Sequence, residues 1–202
     1  MRLTRLILLV LLLMPACAYA QSAQTPTEVI ENLHSALLET MRNAEALGAQ
    51  GRYDALAPVL RRSYDFPRMA SVAAGSHWTA MSDPEKSAVI DAFARFSIAN
   101  YASRFDGYSG EAFEIVGQRQ GPRGSELVET RIIRGNGEAI PVTYVMTDRN
   151  GSWQIIDVLL DKSISELALR RSEYAKVLSD GGPARLAQIL NEKAEGMLKG
   201  PA

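Results

Sequence analysis

Residues 128–160, VETRIIRGNGEAIPVTYVMTDRNGSWQIIDVLL, decide the fold class of this chain. Residues 128, 130 and 132 can share one buried face of a strand, as can residues 140, 142, 144 and 146, and this period of two is typical of strands that bury one face. Asn-Gly pairs at 136–137 and 150–151 interrupt this alternation, and such a pair between two alternating segments is a strong signal for a hairpin. The stretch therefore predicts three consecutive antiparallel strands with short connections.

The alternation begins earlier, after Gly110, and extends the prediction to a meander of four strands. The predicted strands are AFEIVGQRQ at 112–120, ELVETRIIR at 126–134, AIPVTYVMT at 139–147 and SWQIIDVLL at 152–160. Pro141 lies early in the third of them. Because proline cannot donate a hydrogen bond to a neighbouring strand, Pro141 predicts an edge position or a bulge.

Helical periodicity precedes and follows the predicted sheet. Apolar residues recur at spacings of three and four from Pro26 to Gly48, and a short helix is predicted over 68–74. Two more helices follow the strands, one that closes on the glycines at 181–182 and one that Pro183 opens. This order predicts an α+β fold, with helices packed on one face of a curved antiparallel four-stranded sheet.

A longer helix is predicted from Ser82 to about Phe105. Ser82 is a suitable N-cap, Pro84 suits the first turn and Glu85 completes a capping box. The large apolar side chains of this helix cover an arc of roughly 200°, whereas a surface helix needs only about 100°. The helix must therefore contact apolar material on two sides. It is either the central helix of an ordinary core or a wall between the core and a ligand cavity.

The N-terminus predicts export from the cytoplasm. Arg2 and Arg5 precede an unbroken apolar run over 6–14, and an A-x-A cleavage site follows at 18–20. The apolar run is shorter than the roughly 20 residues that span a bilayer. We therefore predict a cleaved signal peptide over 1–20 and a periplasmic location.

Cleavage after Ala20 would leave a flexible leader over 21–26 and a single domain over 27–200. Loss of the two arginines of the signal peptide would change the formal charge from -1 to -3, because -1 minus 2 is -3. Cys17, the one cysteine of the chain, would be removed too, so the domain must be stabilised by its core. Lipoprotein processing at Cys17 is a less favoured alternative, because the residues before it form a poor lipobox.

The sequence offers few groups for catalysis or metal binding. His34 and His77 are the two histidines of the chain, and they lack the spaced partners that metal sites need. No nucleophile elbow, phosphate-binding loop or dinucleotide-binding motif occurs. No cofactor or metal is therefore predicted, and the lack of a basic stripe argues against nucleic acid as a partner.

The segment SYDFPRMASVAAGSHWTAMS at 63–82 raises a specific question. Asp65 and His77 could form an acid–base pair if folding brought them together. Asp65 could equally cap the short helix that follows it, and His77 could satisfy backbone groups at a turn. Asp157, central in the fourth predicted strand, is a second candidate carboxylate. It either lies on the solvent face, pairs with Arg131 across the sheet, or acts as a base in a cavity.

One pattern extends over nearly the whole chain after residue 20. It consists of an Asp-Phe step followed by Met, Gly and Trp, a helix that ends in Tyr, and paired strands that carry Arg, Val and Tyr, and Trp-x-x-x-Asp. The residues that match are Asp65, Phe66, Met69, Gly75, Trp78, Tyr101, Arg131, Val142, Tyr144, Trp153 and Asp157. In this pattern the chain resembles the MlaC/toluene-tolerance family of periplasmic lipid-shuttling proteins, including its hopanoid-associated branch.

The resemblance implies a fold similar to the cone-shaped nuclear-transport-factor-like fold, and a carrier rather than an enzyme. Such a carrier binds a phospholipid or a hopanoid and exchanges it with an inner-membrane transport complex and an outer-membrane lipoprotein complex. We expect it to act as a monomer without a cofactor. One departure, the stretch 161–165 where the family commonly has a Gly-Val/Ile-Ser step, predicts a different cavity entrance.

Ten residues are predicted to line a lipid-binding cavity: Phe66, Met69, Val72, Phe93, Phe96, Tyr101, Val142, Tyr144, Ile155 and Val158. Asp65 and Trp78 are predicted to hold the helix that forms the wall of this cavity. Two rival functions stay open at this point. A cone-fold isomerase or hydrolase would need a buried carboxylate or histidine that faces the cavity, whereas an adaptor protein would have a solid core.

Overall fold

The computed structural model of the protein describes residues 24–161 and 163–199. The predicted signal peptide and the first part of the predicted leader lie outside the described residues. Thr25 caps the first helix, because its hydroxyl accepts a hydrogen bond from the Glu28 amide (3.2 Å) and the Glu28 carboxylate accepts one from the Thr25 amide (2.7 Å). The folded domain thus includes Thr25 and Pro26, which the sequence assigned to the leader.

The described residues form five α-helices and five β-strands, with short 3-10 helices at Gly75–Ala80 and Pro122–Gly124. The helices are α1 (Pro26–Arg42), α2 (Ala44–Ser63), α3 (Phe66–Ala74), α4 (Asp83–Arg104) and α5 (Glu166–Leu198). The strands are β1 (Ala112–Gln120), β2 (Glu126–Ile133), β3 (Ala139–Arg149), β4 (Ser152–Leu160) and β5 (Ile164–Ser165). None of these helices combines the length and apolar character that crossing a membrane requires.

The sheet is an antiparallel meander in the order β1-β2-β3-β4-β5. The four predicted strands are confirmed, and the α+β prediction with them. The fifth strand was missed because its two residues are too few to show an alternation. Pro141 lies one residue beyond the β3–β4 ladder, which starts at the pair Val142 and Leu160. On the side that faces β4, Pro141 therefore lies just past the end of the ladder, where no amide hydrogen bond is required, although β3 itself is a central strand.

A bulge in β4 decides which of its side chains point towards the helices. Val145 pairs with Asp157 and Met146 pairs with Ile155, so that Ile156 is an extra residue in β4. The extra residue reverses the alternation at this point. Ile155 and Val158, three positions apart, therefore lie on the same face of the sheet.

Helix α4 is central among the helices, because it packs against α2, α3 and α5. Its predicted capping box is confirmed, since the Glu85 carboxylate accepts hydrogen bonds from the amide (2.8 Å) and the hydroxyl (2.7 Å) of Ser82. The core around it is apolar. Its fully buried large side chains are Ile30, Leu33, Leu37, Leu56, Leu60, Val89, Ile98, Val128, Met146, Ile155, Leu186 and Leu190.

Glycines with positive φ break two of the long helices. Gly48 (φ 60°) kinks α2 and Gly182 (φ 69°) kinks α5, and other residues are disfavoured in this conformation. The kink at Gly182 separates the two C-terminal helices that the sequence predicts. The first helix, in contrast, ends at Arg42 rather than at Gly48, and α2 begins immediately after Asn43.

Asp65 connects α3 to the sheet. Its carboxylate accepts a hydrogen bond from the Arg68 amide (3.1 Å) and lies 3.4 Å from the Arg149 guanidinium, while its amide donates to the Ile155 carbonyl (3.0 Å). The prediction that Asp65 caps the short helix is confirmed. His77 lies in the 3-10 helix after α3, and within the described residues no hydrogen bond joins it to Asp65. The acid–base pair is therefore wrong.

Candidate functional site

A partly open cavity of about 150 Å³ lies between the sheet and the helices α3, α4 and the start of α5. Aromatic and aliphatic side chains form most of its wall. Eight of the ten residues predicted from the sequence line it: Phe66, Met69, Phe93, Phe96, Tyr101, Val142, Tyr144 and Val158. Their contact with a lipid stays a prediction, but the structure does bring them together around one hollow.

Val72 and Ile155 do not line the cavity. Val72 is 41% exposed, because the buried positions of α3 are at 66, 69, 70, 73 and 74 and residue 72 falls outside that arc. Ile155 faces the helices but is fully buried, because Tyr64 pairs with it and the backbone of Asp65 bonds to its carbonyl. The α2–α3 junction therefore separates Ile155 from the cavity.

Helix α4 contributes more of the cavity wall than any other element. Its lining residues recur at spacings of three and four, so they form one face of the helix. They are Phe93, Phe96, Ser97, Asn100, Tyr101 and Arg104, and Phe105 follows at the C-cap. Because other residues of α4, such as Ile98, Ala99 and Ala102, are buried and the helix packs against α2 and α5, this helix separates core from cavity, which is the second of the two interpretations that the sequence allowed.

Aromatic rings pack edge to face and in stacks along the helical side of the cavity. Tyr64 stacks on Phe66 with ring centroids 5.5 Å apart, and Phe66 meets Phe93 edge to face at 6.2 Å. Tyr101 stacks on Phe105 at 5.7 Å. Such pairs stabilise each other beyond their buried area. The sequence prediction missed Tyr64 and Phe105, which lie at the ends of helices α2 and α4.

Two hydrogen bonds join polar groups in the wall. The hydroxyls of Tyr64 and Tyr101 bond to each other, and the hydroxyl of Tyr144 lies 3.3 Å from Nε2 of His34. Burial raises the pKa of all three tyrosines, so they stay protonated. The Tyr64–Tyr101 bond uses only one of the two hydroxyl protons, and the other has no acceptor among the described residues.

His34 is buried behind this wall. Its ring stacks on Phe113 with centroids 4.5 Å apart, and burial lowers its pKa to about 4. The imidazole is therefore neutral in the folded protein at neutral pH.

We expect acid to destabilise the protein through His34. Between pH 7 and pH 5 the unfolded chain, with a histidine pKa near 6.5, gains a proton that the folded protein does not bind. The free energy of unfolding should therefore fall by about 2 kcal/mol over this range. Urea unfolding at both pH values would measure it. In His34→Gln this loss should largely disappear, whereas it should persist in His77→Gln. Equal losses in all three proteins would contradict the assignment.

Asp157 does not face the cavity. Its carboxylate accepts hydrogen bonds from the Ser165 hydroxyl (2.6 Å) and from the amides of Leu167 (3.1 Å) and Val158 (2.8 Å). The predicted pairing with Arg131 is wrong, since Arg131 pairs with Glu114 (2.6 Å). Asp157 instead attaches the first turn of α5 to the sheet. This turn supplies part of the cavity wall.

Polar side chains of α4 and α5 form one edge of the cavity. Glu166 and Arg170 of α5 pair at 3.8 Å, and the Arg170 guanidinium lies 5.0 Å from the ring centre of Phe96. Ser97, Asn100 and Arg104 extend along the facing side of α4. The sequence prediction missed these residues, although Ser97, Asn100 and Arg104 show the helical spacing of the apolar residues beside them.

A second depression lies between α1, α2 and the turn that joins β3 to β4. Its volume is larger, about 830 Å³, but its wall mixes apolar residues such as Trp153 with Asn32, Arg62 and Gln154. Of these two pockets, only the cavity beside α4 has a predominantly apolar wall.

Comparison with known proteins agrees with this architecture. A solved structure of a phospholipid-binding protein from Ralstonia solanacearum, in complex with a phospholipid, superimposes with a TM-score of 0.75. The match has 17% sequence identity and covers 86% of this chain and 99% of that one. Nothing among the curated proteins matches this chain. The MlaC protein family matches over residues 31–192. The chain, as its sequence pattern indicates, belongs to the MlaC family.

Proposed function

We propose that this protein binds a phospholipid, encloses hydrocarbon of its acyl chains in the cavity beside α4, and carries it through the periplasm. The observation that supports this most is the cavity itself, an apolar hollow of about 150 Å³ whose wall is built from aromatic and aliphatic side chains. Apolar cavities of about this volume accept apolar guests.

The physical need for such a carrier is large. A two-chain lipid that leaves a bilayer exposes about 30 methylenes to water at about 0.8 kcal/mol each, which is on the order of 20 kcal/mol. A protein wall that replaces the membrane interior removes most of this cost. Apolar side chains bury hydrocarbon without directional bonds, so that release into a second membrane stays feasible.

The cavity must widen when the lipid enters. A volume of about 150 Å³ matches a guest of the size of benzene, and two complete acyl chains are much larger. Met69 in the wall is flexible and can change rotamer. The start of α5 forms another part of the wall, and it is attached to the sheet through β5 and the hydrogen bonds of Asp157.

Family membership and the phospholipid bound to the Ralstonia solanacearum protein support this cargo. The cavity wall also favours a carrier over an enzyme. Its carboxylate, Glu166, is paired with Arg170, and neither Asp157 nor His77 belongs to the lining. Exchange with inner- and outer-membrane complexes belongs to this proposal too. Hopanoid is the alternative cargo.

A vesicle experiment tests the proposal. Donor vesicles carry a phospholipid labelled on its acyl chain, acceptor vesicles carry none, and the protein purified without residues 1–20 is added between them. We expect the transfer rate to rise in proportion to protein concentration, and labelled lipid to elute with the protein on gel filtration. A rate equal to that of vesicles alone, with no lipid on the protein, would contradict the proposal.

A further inference from the structure

We propose that Arg104 binds the phosphate group of the lipid at the edge of the cavity and so selects phosphorylated lipids over neutral ones. This inference rests on the proposed function, because it concerns the head of a lipid whose chains occupy the cavity.

A phosphate-binding residue must lie beside the apolar wall that holds the lipid chains, and Arg104 has this position. It lies in the last turn of α4, and its side chain forms part of the cavity lining. Ser97 and Asn100 precede it by seven and four positions, so all three lie on one face of the helix. An exposed cation beside two neutral hydrogen-bonding side chains thus adjoins the apolar wall, as a lipid head beside its own chains requires.

The charges at this edge leave Arg104 available. Arg170 lies near two carboxylates, 3.8 Å from Glu166 and 3.1 Å from Glu173, and its guanidinium packs on Phe96. Arg104 takes part in no ion pair among the described residues. A free guanidinium can bind two phosphate oxygens at once, and the charge assists both hydrogen bonds.

The net charge of the lining also favours an anion. The charged lining residues are Arg104, Arg170 and Glu166, which sum to a formal charge of +1, whereas the whole chain carries -1. Burial raises the pKa of Tyr101, the nearby charge of Glu166 adds to this rise and the charge of Arg104 opposes it, so both charged groups lie close to the apolar wall. The anion-binding edge and the apolar wall are therefore parts of one site.

The experiment compares two lipids that differ in the phosphate alone. Delipidated protein is titrated with phosphatidic acid and with diacylglycerol, both carrying the same fluorescent acyl chain. We expect the normal protein to bind phosphatidic acid more tightly. In Arg104→Gln the affinity for phosphatidic acid should fall about 5- to 10-fold, with less than about a 2-fold change for diacylglycerol.

Arg61→Gln is the matched control, because Arg61 is exposed in the last turn of α2 and lies outside the cavity lining. It should leave both affinities unchanged. Equal losses for both lipids in Arg104→Gln, or no loss for phosphatidic acid, would overturn the role of Arg104. Failure of the normal protein to bind either lipid would instead overturn the proposed function, and the two failures are thus distinguishable.

Discussion

Val158→Trp is expected to lower the affinity for phospholipid by at least about 50-fold while the protein stays folded. Val158 lines the cavity from β4, and an indole ring at this position would fill most of a hollow of about 150 Å³. Displacing only three methylenes of the lipid into water costs about 2.4 kcal/mol, which corresponds to that loss of affinity. Titration of delipidated protein with a labelled phospholipid measures it.

Val72→Trp is the matched control, because it makes the same change of side chain outside the cavity. Val72 lies on α3 beside the cavity-lining residue Met69, but its own side chain is 41% exposed and outside the cavity. The same substitution there should leave lipid affinity within about 2-fold. Overpacking at position 158 will cost about 1–3 kcal/mol of stability, so a thermal melt must accompany each titration. If Val158→Trp and the normal protein bound phospholipid with equal affinity, the lipid would bind outside the cavity beside α4.

Asp157→Ala should lower the free energy of unfolding by about 3 kcal/mol. The substitution leaves the Ser165 hydroxyl and the Leu167 amide without their acceptor, and hydrogen bonds to a charged group contribute about 1.5–3 kcal/mol each. The first turn of α5 should then detach from β4 and β5. Because this turn forms part of the cavity wall, lipid affinity should fall together with stability.

Urea unfolding of Asp157→Ala measures the loss, with Asp180→Ala as its control. Asp180 is an exposed residue of α5 that pairs with Lys176 at 3.0 Å, and exposed pairs contribute little. Its loss should change stability by less than about 0.5 kcal/mol. If Asp157→Ala were as stable as Asp180→Ala, the attachment of α5 through Asp157 would be refuted.

The strands were predicted to within one or two residues because each is bounded by turn residues, and β2 and β3 also alternate regularly. The bulge at Ile156 could not be predicted, since Ile-Ile-Asp carries no glycine or turn signal. The prediction nevertheless placed Ile155 and Val158 on one side of β4, which regular alternation forbids and the bulge permits.

The errors in the candidate site have physical causes as well. Val72 was misplaced because a nine-residue helix offers too few positions to fix its buried arc. Arg104 and Asn100 were missed because the prediction considered the tails of a lipid and only apolar side chains. Asp157 was left with three alternatives, since its partners Ser165 and Leu167 come from a helix start whose position relative to the sheet depends on tertiary structure.

Periodicity alone could not decide between a cavity and a solid core. The arc of α4 requires apolar contact on two sides, and a solid core meets this requirement as well as a core on one side and a cavity on the other. The difference depends on about 150 Å³ of unfilled space, which arises from the relative placement of α4, α5 and the sheet. That placement is a tertiary property, and only the family pattern favoured the cavity in advance.

Native mass spectrometry of the protein purified from a bacterial periplasm tests the central claim most directly. The account predicts a folded monomer whose mass exceeds that of the protein by one phospholipid, and the added mass should be absent from Val158→Trp but present in Val72→Trp. A folded protein that shows only its own mass, in preparations where phospholipid is abundant, would contradict the claim that the cavity beside α4 holds a lipid.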